Sequence, residues 1–137
     1  MSVYREILAV QSPFDIGSDK NRRKMFSCNY EVVATAPVTD FLREMGKLIN
    51  TAGLGTFATD MFLGTEAILP ETDGPFVTLI NTGGEAPEST HDSSLGHTYE
   101  SLSFQVVTTA RSYNDSNTRA LAIWRLLDGV RNTTVVA

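Results

Sequence analysis

Tyr99-Glu100-Ser101-Leu102-Ser103-Phe104-Gln105-Val106-Val107 alternates apolar and polar residues, with Leu102, Phe104 and Val106 set against Ser101, Ser103 and Gln105. Successive side chains of a strand point to opposite faces, so this period of two describes a half-buried strand. Upstream, Phe76-Val77-Thr78-Leu79-Ile80 is an apolar run that reads as another strand. The stretch between, from Asn81 to Thr98, is polar and glycine-rich, and its lack of any apolar period reads as a long loop. Downstream, after Arg111-Ser112-Tyr113, the period becomes helical. Ala120, Ile123, Trp124, Leu127 and Val130 fall on one stripe, with Asn114, Asp115 or Ser116 as N-cap and Gly129 as the stop.

Outward from this core, Pro37 to Ala52 reads as a helix. Val38, Phe41, Leu42, Met45, Leu48, Ile49 and Ala52 keep the spacing of one helical face, Pro37 suits a first turn, and Gly53 supplies a left-handed C-terminal residue. Gly46 inside this helix marks close packing against another backbone. Thr56 to Leu63 reads as a strand with large apolar groups on both faces (Phe57, Met61 and Leu63 against Phe62), and such a strand lies centrally or is covered by another subunit. Pro70-Glu71-Thr72-Asp73-Gly74-Pro75 is a turn signal, and Thr133 to Val136 has the β-branched character of a short last strand. Phe26 to Ala34 reads as a strand with Phe26, Cys28, Tyr30 and Val32 on one face, whereas Val3 to Val10 fits neither period.

The 137 residues suffice for one domain and one core. With 42% hydrophobic and 20% charged residues the chain is not disordered in bulk, and its apolar runs are far too short to span a membrane. Met1 to Val10 lacks the layout of a secretory signal. Cys28 is the one cysteine, which excludes an intrachain disulfide and a cysteine-built zinc site and is consistent with folding inside a cell. A net charge of −5 disfavours tight nucleic-acid binding, although Asn21-Arg22-Arg23-Lys24 forms a basic cluster able to meet an acidic neighbour or passing DNA.

Catalytic patterns are weak. His91-Asp92-Ser93 has the residue types of a hydrolase triad, but neighbours in sequence within a loop cannot converge as that chemistry requires. His91 and His97 with Asp92 and Glu100 lack the spacing of a metal site, and Gly83-Gly84 leads into Glu85, whose charge repels phosphate. Cys28 reads as a core thiol and Trp124 as a core aromatic. These residues describe no enzyme, no cofactor and no metal centre.

The order strand, polar stretch, strand, helix resembles the tail terminator, or tail completion, proteins of long-tailed bacteriophages, sometimes called minor capsid proteins. The residues that carry the resemblance are Pro70, Val77, Leu79, Thr82-Gly83-Gly84, Pro87, Tyr99, Phe104, Val106, Arg111, Tyr113, Ala120 and Leu127, and it covers about residues 37–131. It implies a structural virion protein, assembled in the host cytoplasm, that sits as a hexameric ring on the head-proximal end of the tail tube. Such a ring stops tube polymerisation and presents the surface that joins the head. Its partners are then further copies of the chain, the tail tube protein and a head-completion or connector protein, with genome DNA passing through unbound and no membrane involved.

The expected fold is α+β, with an antiparallel or mixed sheet of about four strands and two main helices packed on one face. Residues 1–36 form an N-terminal arm or extension, and residues 37–137 the terminator-like domain. Phe41, Met45, Leu48, Leu102, Phe104, Val106, Ile123, Trp124 and Leu127 supply most of the expected core. Candidate subunit or tube contacts are Phe57, Met61, Phe62, Arg22, Arg23 and Arg111; candidate lumen or tube-contacting loop residues are Glu85, Glu88 and Asp92. The competing readings are another neck protein, such as a head-completion adaptor, a tail tube subunit, and, from another class, a small-ligand-binding α+β domain.

Overall fold

A computed structural model of the chain describes residues 2–35, 38, 40–64, 69–89 and 98–135. In chain order the elements are β1 (Ser2–Ala9), β2 (Phe14–Ser18), β3 (Lys24–Thr35), α1 (Phe41–Thr51), β4 (Met61–Leu63), β5 (Phe76–Ser89), β6 (Thr98–Ala110), α2 (Tyr113–Leu127) and β7 (Val130–Val135). Among the described residues the strands form one seven-stranded sheet, ordered β4-β5-β6-β3-β1-β7, with β2 beside β3. The expectation of about four strands is therefore too low.

The alternating stretch that opens the sequence reading is the middle of β6. It pairs antiparallel with β3 in unbroken register from Lys24↔Ala110 to Thr35↔Tyr99, and antiparallel with β5 on its other side. Because β6 occupies one whole edge of β3, β1 and β2 share the opposite edge, β2 along its first part and β1 along its second. The segment 1–36 thus supplies three strands of the sheet. Its first strand hides from pattern reading because the register shifts between Tyr4 and Glu6, so the two buried residues Tyr4 and Ile7 lie three apart instead of two.

One face of the sheet is the core. Phe26, Cys28, Tyr30, Val32 and Ala34 of β3 lie against Phe104, Val106, Thr108 and Ala110 of β6, all buried, and the Tyr30 and Phe104 rings stack with centroids 5.1 Å apart. Both helices cover this face. Phe41 of α1 meets the Phe104 ring edge-on at 5.5 Å, and four residues further along β6 the buried Thr108 and Ser116 of α2 exchange hydrogen bonds. Residues four apart on a strand share a face, so the helices do too. Met45, Ile49, Ile123 and Leu127 complete a single apolar cluster. Leu48, Leu102 and Trp124, expected in the core, are only partly buried at its margin, while Tyr4, Ile7, Met61 and Leu79 are fully buried members outside the expected set.

Several boundaries differ from the sequence reading. The first helix begins at Phe41 behind Asp40, and Pro37 lies outside the described residues; Gly53 has the expected left-handed conformation, φ 76°. Gly46 is a point of close approach, but to a ring rather than a backbone: a Cβ there would lie 2.7 Å from Phe57. Thr56 to Asp60 is a turn, not strand. The N–H groups of Thr59, Asp60 and Met61 all donate to Thr56 O, and Ala58 has φ 62°. Only Met61–Leu63 is strand, and it lies at the sheet edge, parallel to β5, instead of centrally. The expected loop after Ile80 is mostly strand, since β5 continues to Ser89 and β6 starts at Thr98. Its period is lost because Asn81, Thr82 and Gly83 are already exposed, and the register shifts at Asn81/Gly83 and Glu85/Glu88. The second helix is preceded by Ser112, not capped from Asn114, Asp115 or Ser116, and the last strand starts at Val130.

Two buried tyrosines differ in hydrogen bonding. Tyr4 Oη donates to the buried carboxylate of Glu44 at 2.6 Å, whereas the Tyr30 hydroxyl meets no partner among the described residues. Removing a donor from a buried carboxylate exposes its desolvation cost, so Tyr4→Phe is expected to destabilise by about 1–3 kcal/mol. Tyr30→Phe is expected to leave stability unchanged or to raise it. Denaturant titration of both variants checks this, and equal losses would show that the Tyr4–Glu44 bond contributes nothing.

Candidate functional site

The β2–β3 turn and the connection before β5 meet at one end of the sheet. Arg23, 5% exposed, fastens them. Its backbone N–H donates to Asp19 Oδ1 at 2.9 Å and its Nε to Asp19 Oδ2 at 2.8 Å. Its Nη1 donates to the carbonyls of Pro70 and Thr72, and the guanidinium lies 5.5 Å from the centre of the Phe76 ring. A planar cation with five donors suits a site offering a carboxylate and two carbonyls, and an ammonium cannot reproduce that fork. Burial acts to raise the Asp19 carboxyl. The hydrogen bonds and charge of Arg23, with the Asn21 N–H, outweigh burial and hold it below the ordinary carboxylate value.

Arg22 is exposed in the same turn with φ 62°. Arg111 joins them because Ala110 is the register partner of Lys24. Its backbone N–H donates to Asp73 O, and its exposed side chain lies 3.8 Å from the Asp73 carboxylate. The three arginines singled out from sequence are thus gathered at one end, with different roles: Arg23 is a buried fastening, while Arg22 and Arg111 face solvent. The candidate apolar contacts lie around β4. Met61 is fully buried, Phe57 is partly buried over Gly46 with the Arg43 guanidinium 5.3 Å from its ring centre, and Phe62 packs at 6.3 Å against Phe76.

Of the acidic candidates, Glu85 and Glu88 are strand residues of β5, in register with Ser101 and Tyr99, and Asp92 lies outside the described residues. A feature that sequence reading overlooked sets them in context. None of the chain's 11 Lys and Arg residues lies between Leu48 and Ala110, whereas 8 of its 16 acids do. Counting charges by segment reveals this, and a single net value hides it.

Chemistry on the buried face is muted. Cys28 is 2% exposed, its thiol donates to Gln11 O at 3.1 Å, and burial pushes its pKa up, so the nucleophilic thiolate is disfavoured. Among the described residues no group of three or more His, Cys, Asp or Glu side chains could hold a metal, and no helix is long and apolar enough to cross a membrane. An open concavity of about 480 Å³ lies between α1, α2 and β7, lined by Lys47, Leu48, Thr51, Ala52, Leu126, Thr134 and Val135. Among the described residues Lys47 is the only titratable side chain in that lining, so they lack the converging polar groups of a specific small-molecule site.

Fold and surface together define an α+β protein whose β2–β3 hairpin exposes Lys20, Arg22 and Lys24 around the buried Arg23. Residues 48–134 match the family described as Bacteriophage tail terminator protein, and the chain belongs to that family of phage tail structural proteins. The match starts late in α1 and ends in β7, leaving β1–β3 before it. No curated protein and no solved structure matches the chain.

Arg23→Lys is expected to lower stability by about 1–3 kcal/mol by leaving buried acceptors unpaired, while Arg22→Lys, at an exposed position, changes it little. The Asp19 contribution is full above the unfolded-state value of about 3.9 and is lost as pH falls through the lower folded-state value. Asp19→Asn should therefore flatten the acid limb of a stability–pH profile. An unchanged limb would mean that Arg23 does not hold this carboxyl low.

Proposed function

We propose that this chain is the tail terminator of its phage: a hexameric ring on the head-proximal end of the tail tube that stops polymerisation and offers the joining surface to a head-completion or connector protein. The family match carries this reading. Physical features agree with it. A closed ring is built from one heterologous contact repeated, so each subunit needs two different complementary surfaces, and this sheet has differently built ends. The acids of the central segment disfavour retention of DNA phosphates, so the genome passes without being held.

The test is tube assembly. Purified chain added to polymerising tail tube protein of the same phage should stop growth and appear as a ring at one tube end in negative stain. Unchanged tube length distributions with no end density would overturn the proposal. Long tubes formed by the chain alone would make it a tube subunit instead.

A further inference from the structure

Among the described residues six large hydrophobic side chains are exposed, and five of them, Val3, Leu8, Val10, Phe14 and Ile16, lie in β1, β2 and the turn between. Register partners in an antiparallel pair share a face of the sheet. Leu8 is opposite Glu31 and Phe14 opposite Ser27, while the N–H of Val10 donates to Asn29 O. Ser27, Asn29 and Glu31 alternate with the core residues Cys28, Tyr30 and Val32, so they belong to the face turned away from α1 and α2. Leu8, Val10 and Phe14, exposed by 40%, 58% and 44%, therefore form one apolar stripe on that face. It is about 13 Å long, four residues at roughly 3.3 Å each. An apolar stripe on a sheet face that neither helix covers is the mark of a surface that another molecule covers. The charged residue beside it is the exposed Glu31. Further along β1, Glu6 meets Arg131 at 3.6 Å and Arg5 occupies the bulge.

We propose that this stripe packs into the concavity between α1, α2 and β7 of a second copy. Leu48, Ala52 and Leu126 line the concavity on the helix side, and its volume of about 480 Å³ accommodates more than one aliphatic side chain. Charge complementarity selects the occupant. Glu31 is the acid beside the stripe, Lys47 is the cation of the concavity, and both are exposed. The carboxylate of one copy meets the ammonium of the next at the rim of an apolar centre, the anatomy of a protein–protein interface. The stripe faces away from the helices and the concavity lies among them, so the two surfaces do not meet within one molecule. The contact is heterologous: each copy offers its stripe to one neighbour and its concavity to another, head to tail. It deepens the ring reading by naming the two complementary surfaces, and rests on that reading only for closure.

The test is sedimentation velocity on the full chain and on variants at exposed positions, with circular dichroism to confirm folding. The wild type should self-associate. Leu8→Ser/Val10→Ser removes the stripe and Ala52→Trp fills the concavity, and each variant alone should be monomeric. Mixed in equal amounts they should form a heterodimer and stop there, because the first keeps an open concavity and the second an intact stripe. Glu31→Lys and Lys47→Glu should each raise the dissociation constant about threefold or more, and the two changes in one chain should bring it back near the wild-type value. If Ala52→Trp misfolds, this charge exchange decides alone. A wild type still monomeric at about 1 mM overturns the contact. So does a mixture that stays monomeric, or a double charge exchange that restores nothing. Association lost in the stripe variant but kept in Ala52→Trp would mean that two stripes face each other, and overturns it as well. Variants that associate like the wild type but no longer cap tubes assign the stripe to the tail tube protein and overturn it too. Tube capping without the contact leaves the terminator reading standing, whereas the contact without capping removes that reading alone.

Discussion

The antiparallel ladder between β3 and β6 is the constraint on which the other features depend. Its register is continuous from Lys24↔Ala110 to Thr35↔Tyr99. A slip of one residue would turn Tyr30, Val32, Phe104 and Val106 away from the helices and put Glu31, Ser103 and Gln105 in their place. Burial of one face thus fixes the register. The register then fixes which ends meet: it brings Arg111 beside the β2–β3 turn, and it carries the β5–β6 hairpin to the other end. Core packing and the distribution of surface charge are consequences of the same alignment.

Arg23 shows how a basic cluster in sequence can divide into unlike roles. Its neighbours Arg22 and Lys24 are exposed, but Arg23 is enclosed by Asp19, two carbonyls and the Phe76 ring. Four consecutive polar residues carry no sign of which one turns inward. That is decided by the left-handed turn at Arg22 and by a loop more than 45 residues away in sequence. Sequence reading gathers charges, and the fold sorts them.

The legible parts of the sequence were those in which one periodic pattern ran through a whole element. Leu102, Phe104 and Val106 gave β6, and Phe41, Met45 and Ile49 gave α1, because each element buries a single face. The illegible parts were interrupted or buried on neither face. The bulge at Arg5 breaks the period of β1, the exposed Asn81, Thr82 and Gly83 of β5 have no apolar requirement, and Phe57 reaches the core from a turn by resting on Gly46. The candidate site was legible as residue types only. Arg22, Arg23 and Arg111 were identifiable as cations, but their convergence depends on a strand pairing that spans most of the chain.

Charge segregation gives the family membership a physical setting. Half of the acids lie in a central segment without a single Lys or Arg, and that whole segment lies within the family match. The cationic tip comes from the strands that precede the match. The sheet thus joins a cationic hairpin to a central segment that holds no Lys or Arg.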